Sequence, residues 1–347
     1  MPSSGEFSRL VRLVEMHGGS LLARARTKSV LAWDGHVVAG PWSSEVGFEL
    51  LYWIPFLRRL CERGVLEPES VLAISRGGVE EWYRDVAGQY VDLHELYPGG
   101  DVMRRARAAR QGLKQTSRPS AFDREAVARG LVYAGLPADT PVLHPWLMYK
   151  RFRAAWAERT PPGRLLRELT FRSLPRPAGA VPLPLPPRYI AVKPYASGVL
   201  PAGGGGQEAW IDLVQRLAAH LPVVVVRAGI QLDDHVDLDV PEHENVIDLA
   251  GQIPTERNLD VQGSVIAGAE MLVATYGGTC YLGVLLGVPT VGLYERDRFN
   301  LVHHRVARAM VDALPQATRA EITALSIRQL GRIENVFGGA GLGIEKL

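Results

Sequence analysis

Cysteine is nearly absent from this chain: Cys61 and Cys280 are the two in 347 residues. Two thiols in apolar surroundings on expected helices read as small buried residues, which excludes a disulfide framework and a cysteine metal centre. Long apolar runs are missing too. No stretch reaches the roughly 20 residues that span a bilayer, and the segment MPSSGEFSRLVRLVEMHGG is amphipathic but lacks the apolar centre of a signal peptide. The expected location is therefore cytoplasmic. An excess of one charge is also lacking, since 39 Lys and Arg stand against 37 Asp and Glu, a net +2. That balance excludes a general nucleic-acid binder held by phosphate neutralisation. The basic run of Arg104, Arg105, Arg107, Arg110, Lys114 and Arg118 is read first as a solvated helix face. A patch touching acceptor or the inner membrane face, peripherally, is its second reading.

What is present describes a globular protein. Hydrophobic residues make up 47% and charged residues 22% of the chain, enough for sizeable cores, and the length favours two domains over one. Residues Ser173–Pro187, SLPRPAGAVPLPLPP, hold six prolines, so helix and central strand are excluded there and an extended linker is expected. Domains are accordingly expected at 1–172, at 188–337 after the 173–187 linker, and a glycine-rich tail at 338–347. Both flanks alternate strand and helix signals, the pattern of parallel α/β sheets. On the N-terminal side strands are expected ending at Val37–Ala39 and at Val71–Ser75, with a helix over Val46–Arg63 and another from Val79. On the C-terminal side strands are expected at Tyr189–Val192, Val223–Arg227 and Val246–Leu249, helices at Glu208–His220 and Leu259–Gly268, and closing helices over Ala317–Phe337.

The stretch Ile266–Glu295, IAGAEMLVATYGGTCYLGVLLGVPTVGLYE, carries the most information. Met271–Thr275 has the length of a buried strand, Gly277-Gly278-Thr279 breaks it, Cys280–Leu286 is an apolar helix, and Thr290–Tyr294 starts a new strand. A glycine turn feeding a helix offers backbone N–H groups and the positive end of a dipole, a suitable seat for phosphate. An ordinary turn needing glycine for its backbone is the equal alternative. A second motif, Gly40-Pro41-Trp42-Ser43-Ser44-Glu45-Val46-Gly47-Phe48-Glu49-Leu50, falls where the first strand gives way to its helix. Ser44 is read as the N-cap, with Glu45 in the first turn and Glu49 one turn on. Glu45 either complements the helix dipole or does chemistry at the strand end.

The C-terminal motif resembles the nucleotide-sugar-binding half of GT-B glycosyltransferases, heptosyltransferase-like enzymes above all. Gly268-Ala269-Glu270 stands where that family has GAD, and Leu286-Gly287-Val288-Pro289-Thr290 matches its LG(V/T)PT. Tyr276 and Gly277 depart from the acidic and Ser/Thr residues of the family's turn. Ser44-Glu45-Val46 falls where those enzymes carry an acidic base after the first strand, with Glu in place of Asp. The resemblance implies two Rossmann-like domains facing each other across a cleft. It also implies an inverting, metal-independent transfer of sugar from a nucleoside-diphosphate donor to a glycan, lipid-linked or natural-product acceptor. No cofactor or metal is expected; the nucleotide sugar is a co-substrate. Glu45 would take the acceptor proton, while Lys193, Arg227 and Gly277, Gly278 and Thr279 would hold the diphosphate and Glu295 the ribose. Trp42, Ser44, Glu49 and His144 are weaker candidates for acceptor contact, and Tyr52 and Trp53 for lining the same cleft. His144 is read first as structural, and the neighbouring His303 and His304 point to different sides and make no metal pair. Gly203–Gly206 is either a phosphate loop or a flexible one. An epimerase on the same fold and a non-catalytic nucleotide-sugar binder remain open.

Overall fold

The computed structural model describes residues 19–99, 101–111, 118–177, 183–201, 203, 206–227, 235–295 and 301–332. Two compact units result, one of residues Met1–Arg76 and Trp82–Thr170, the other of Gly77–Glu81 and Phe171–Leu347. Lys114, the central part of the proline-rich stretch, two residues of the four-glycine loop and the expected tail lie outside the described residues.

In the first unit, helix α1 spans 19–31. Strands β1 (Val37–Ala39), β2 (Val71–Ser75), β3 (Gln89–Asp92) and β4 (Val142–Leu143) form a parallel sheet of order β3-β2-β1-β4. Helices α2 (Val46–Phe48), α3 (Ile54–Glu62), α4 (Glu80–Tyr83), α5 (Leu93–Leu96), α6 (Val102–Ala109), α7 (Ala121–Ala134), α8 (Pro145–Trp156) and α9 (Pro162–Leu166) follow. The helix expected over Val46–Arg63 is not continuous. Glu49–Trp53 forms a π-helical turn between α2 and α3, a wide-turn insertion that lets five successive side chains, Glu49 to Trp53, all bury. α7 has a full capping box, Ser120 with Asp123, and ends on Gly135 at φ 68°.

In the second unit, β5 (Ile190–Lys193), β7 (Val223–Val225), β9 (Val246–Asp248), β10 (Met271–Thr275), β11 (Thr290–Tyr294) and β12 (Ile322–Ser326) form a parallel sheet of order β12-β11-β10-β5-β7-β9. This is the strand order of a Rossmann sheet. The short β6 (Tyr195–Ala196) pairs antiparallel with β8 (Val236–Asp237). Helices α10 (Gly206–Ala218), α11 (Asn258–Ala267), α12 (Gly278–Leu285) and α13 (Leu301–Ala313) complete it. The core beneath α10 gathers Trp210, Leu213, Val214 and Leu217 against Ile190, Val192, Val223, Val225 and Val273. The closing helices expected over Ala317–Phe337 are corrected: Ile322–Ser326 is a sixth strand, paired in register with β11, and Ile327–Arg332 is a 3₁₀ turn. Ile322, Leu325 and Ser326 are buried there, so the edge pairing outweighs the local helical pattern.

α12 crosses β10 and β11 at van der Waals contact because Gly283 has no side chain. A Cβ there would lie 2.5 Å from Thr290 Oγ1 and 2.7 Å from Leu272 Cδ2. Gly283→Ala is therefore expected to destabilise the protein by roughly 1–3 kcal/mol through overpacking. Urea unfolding reads this as a lower midpoint, and an unchanged midpoint would refute the close packing.

Candidate functional site

In both sheets the strand order reverses beside the first strand, between β1 and β4 in one unit and between β5 and β10 in the other. Ligands of open parallel sheets bind at the carboxyl ends of the strands at such switch points.

At the first switch point the chain leaves β1 through Gly40. Its φ is 143°, and a Cβ there would sit 2.6 Å from the Ile74 carbonyl, so only glycine fits. The Trp42 amide donates to that same carbonyl at 2.9 Å. Helix α2 then starts from Glu45, not Ser44: Glu45 is the N-cap (φ −60°, ψ 137°), with no side-chain cap bond. Its half-buried side chain stands at the strand end. Ser44 is buried, and its carbonyl accepts from Arg76 Nη2 at 2.6 Å; Ser43 Oγ accepts from Arg110 Nη1 at 2.6 Å.

Glu49 is not placed for acceptor contact. It has 0% exposure, and its carboxylate accepts from Ser75 Oγ at 2.6 Å, Tyr83 Oη at 2.7 Å and Arg76 Nη1 at 2.8 Å. Burial, with the Glu49 charge adding to it, holds the Tyr83 phenol well above its ordinary pKa, so it stays a donor. Trp42 is also corrected. It is fully buried, stacked at 5.9 Å on Trp53 and 6.1 Å on Tyr149. Tyr52 and Trp53 lie in the same aromatic core and line no cleft. His144 is structural, as its first reading held: it N-caps α8 by accepting the Trp146 amide on Nδ1 at 3.2 Å, and its Nε2 lies 3.5 Å from Asp123.

At the second switch point, Lys193 ends β5 opposite Ala274 of β10. The residue is half-buried, and its ammonium donates to the Val226 carbonyl at 3.1 Å. Burial lowers its pKa to about 8, with Asp237 opposing that shift in part. Next to it, Thr275 Oγ1 donates to the Tyr195 carbonyl at 2.6 Å and accepts the Tyr195 amide at 3.2 Å, which fixes the end of β10. Gly277, Gly278 and Thr279 follow, all half-buried, and start α12. Gly277 has φ 160°, an extended conformation open to any residue. What requires glycine is the Tyr195 hydroxyl, 2.9 Å from where its Cβ would be.

Arg227 is drawn away from this point. It forks onto both carboxylate oxygens of Asp248 on β9, with Nε 3.1 Å from Oδ1. Glu295 follows β11 and meets Arg328 at 3.4 Å. Tyr276 Oη lies 3.0 Å from His304 Nδ1, and burial lowers the pKa of His303 to about 4. The expectation that nothing in the chain resembles a DxD metal motif is corrected, since Asp237-Leu238-Asp239 spells that triplet. Asp237 faces Lys193 electrostatically and the Asp239 amide pairs with Gln207 Oε1 at 3.0 Å; among the described residues no group of three His, Cys, Asp or Glu is placed to hold a metal. Sequence reasoning missed Ser75, Arg76, Tyr83, Tyr195 and Thr275. The signal for Ser75, Arg76, Tyr195 and Thr275 was their place at or just past the carboxyl ends of strands, where polar residues interrupt apolar runs; Tyr83, at the end of α4, carried no such signal.

Comparison with known proteins gives likenesses of structure. No family model matches the chain, and no curated protein sequence matches it. Among solved structures, an E. coli ADP-heptose LPS heptosyltransferase II is similar at 13% identity and TM-score 0.46, over 90% of this chain and 100% of that one. An E. coli heptosyltransferase solved with ADP is similar at 12% and 0.44, over 88% and 100%. The glycosyltransferase SnogD of Streptomyces nogalater gives 15% and 0.41, over 90% and 94%.

The Glu49 network yields a stability prediction. Glu49→Ala leaves the Arg76 guanidinium, 3% exposed, without its counter-ion and is expected to cost about 3–5 kcal/mol. Glu45→Ala, at a half-buried N-cap with no cap bond, should cost under about 1 kcal/mol. Equal losses in chemical denaturation would overturn this division of roles.

Proposed function

We propose that the protein is a glycosyltransferase that takes a sugar from a nucleoside-diphosphate donor and passes it, with inversion and without a metal, to a glycan, lipid-linked or small natural-product acceptor. The observation that carries the reading is Lys193. Lys193 ends the first strand of a Rossmann-ordered sheet, its backbone in register with Ala274 of β10, four residues before α12 starts. A half-buried cation and a helix N-terminus together favour a diphosphate, and they stabilise it most as charge builds on the leaving group.

Gly277, Gly278 and Thr279 bring backbone close to the diphosphate, while Glu295 serves the ribose hydroxyls. Arg227 acts through Asp248 as a support for the β9 end rather than as a direct phosphate ligand. Glu45 is the base. It sits at the carboxyl end of β1 at the other switch point, and its neighbours Ser43 and Ser44 are pinned by Arg110 and Arg76. Removing a proton from the acceptor hydroxyl as it attacks the anomeric carbon raises its nucleophilicity, and the same proton leaves on the Glu45 carboxyl.

Nucleoside diphosphates are the test ligands. At 100 times Kd one of ADP, UDP or GDP should stabilise the protein by about 2.7 kcal/mol in a thermal-shift series, and Lys193→Gln should remove most of that gain. If all three leave the parent protein unshifted, donor binding by nucleotide is wrong. Lys193 also sets a pH dependence. Its ammonium discharges as pH rises through about 8, whereas a solvated lysine stays charged to about 10.4. Nucleotide affinity should fall between pH 7 and 9 in the parent and stay flat over that range in Lys193→Met.

Stability without ligand moves the other way. The folded state gives up this proton at lower pH than the unfolded chain, so the Lys193 contribution to stability increases from about pH 8 to 10.4. For the base, Glu45→Gln should keep nucleotide binding and lose 10²–10⁴-fold in transfer rate. Transfer within a few-fold of the parent would remove Glu45 from that role.

A further inference from the structure

Among the described residues, one face of helix α1 (19–31) is left to solvent. Ala23 and Thr27 turn inward, 0% and 4% exposed, and Thr27 Oγ1 bonds the Ala23 carbonyl. The opposite side carries Leu21 at 66% and Leu22 at 51% exposure, then the exposed Ala25, Ser29 and Ala32, ending on Trp33 at 48%. Leu22, Ala25 and Ser29, spaced by three and four, share one stripe of the helix with Leu21 beside it, and Trp33 stands exposed just past its end. Arg24 and Lys28, both exposed, border the stripe on one side, while Arg26 on the other has its guanidinium 5.6 Å over the Trp146 ring. Residues 19–33 contain no Asp or Glu. Among the described residues no helix is long and apolar enough to cross a membrane.

We propose that this face of α1 docks on an anionic lipid surface, lying in the interface plane with Leu21, Leu22 and Trp33 inserted. The chemistry matches on three counts. Leucine and tryptophan side chains enter the headgroup and acyl boundary, and tryptophan favours that depth. Arginine and lysine flanking the stripe extend their stems along the apolar surface while their charges reach lipid phosphates. A helix face bordered by Arg24 and Lys28, with no acid among residues 19–33, has the charge complement of an anionic leaflet and of no neutral one. A protein partner burying the same stripe would need acidic groups on both borders, and a second copy of the same helix would bring like charge against like charge. The proposal stands apart from the donor chemistry, because none of its residues belongs to either switch point.

Vesicle flotation tests it, using the full chain with phosphatidylcholine vesicles containing 30% phosphatidylglycerol, roughly the anionic content that gives a surface potential of tens of millivolts. The protein should float with these vesicles in low salt, and it should stay with the soluble fraction when the vesicles are phosphatidylcholine alone. Arg24→Gln with Lys28→Gln should reduce partitioning about thirtyfold, from about 1 kcal/mol per basic residue near the surface. Leu21→Ser with Leu22→Ser should abolish flotation while leaving nucleotide-induced thermal shifts unchanged. Absence of flotation in the parent would overturn the proposal. So would flotation that survives both α1 variants but is lost on replacing Arg104 and Arg107, which would move the contact to α6. A parent protein that light scattering shows to be a dimer, and that becomes monomeric with the two serines, would assign the face to a second copy instead.

Discussion

A carboxylate removed from water must have its charge and its lone pairs answered by the protein, and Glu49 is the place where this chain meets that demand. Three donors close around it from the end of β2, from Arg76 beyond it and from Tyr83 of α4. Because Arg76 also holds the Ser44 carbonyl, the same guanidinium that neutralises Glu49 fixes the loop that presents Glu45. One buried ion therefore sets the position of another carboxylate, left half-exposed at the strand end. Of two glutamates four residues apart one is fully buried and the other half-exposed, and the π-turn of Glu49–Trp53 is the backbone feature that lets Glu49 face inward with the aromatic core.

The second unit uses a cation in the corresponding place. Lys193 stands at the carboxyl end of β5, its charge partly desolvated and answered by one carbonyl and by Asp237. The depressed pKa follows from burial, which the Asp237 charge offsets only in part. Arg227, by contrast, is satisfied by Asp248 on the neighbouring strand. Two cations ending adjacent strands thus differ in what they have left to offer a ligand.

Much of the sheet was legible because parallel strands are buried on both faces and read as short apolar runs. Val71–Ser75, Met271–Thr275 and Thr290–Tyr294 fall where their flanking glycines, prolines and charges put them. β12 was not legible: Ile-Thr-Ala-Leu-Ser has no strong run, and its pairing with β11 exists only once the edge of the sheet does. The motif around Glu45 was visible as a strand-to-helix transition, but the N-cap falls on Glu45, one residue after Ser44, whose carbonyl is claimed by Arg76, 32 residues on. Trp42 and Glu49 looked like cleft residues for the same reason. A sequence shows that an aromatic or acidic side chain is near a strand end, while the direction it points is decided by partners brought in by strand order, such as Tyr83 and Tyr149.

The order of the second sheet carries a consequence for synthesis. β5 is its central strand, yet one of its two partners, β10, begins at Met271, 78 residues after Lys193. At about 5–20 residues per second of chain elongation, the apolar flank of β5 waits roughly 4–16 s on the ribosome with one side unpaired. The first sheet keeps β1 waiting for β2 only until Val71 has emerged, although β4 comes later. Nascent chains of this protein are thus most prone to mispairing and chaperone capture in the interval when β5 and β7 are out and β10 is still in the tunnel.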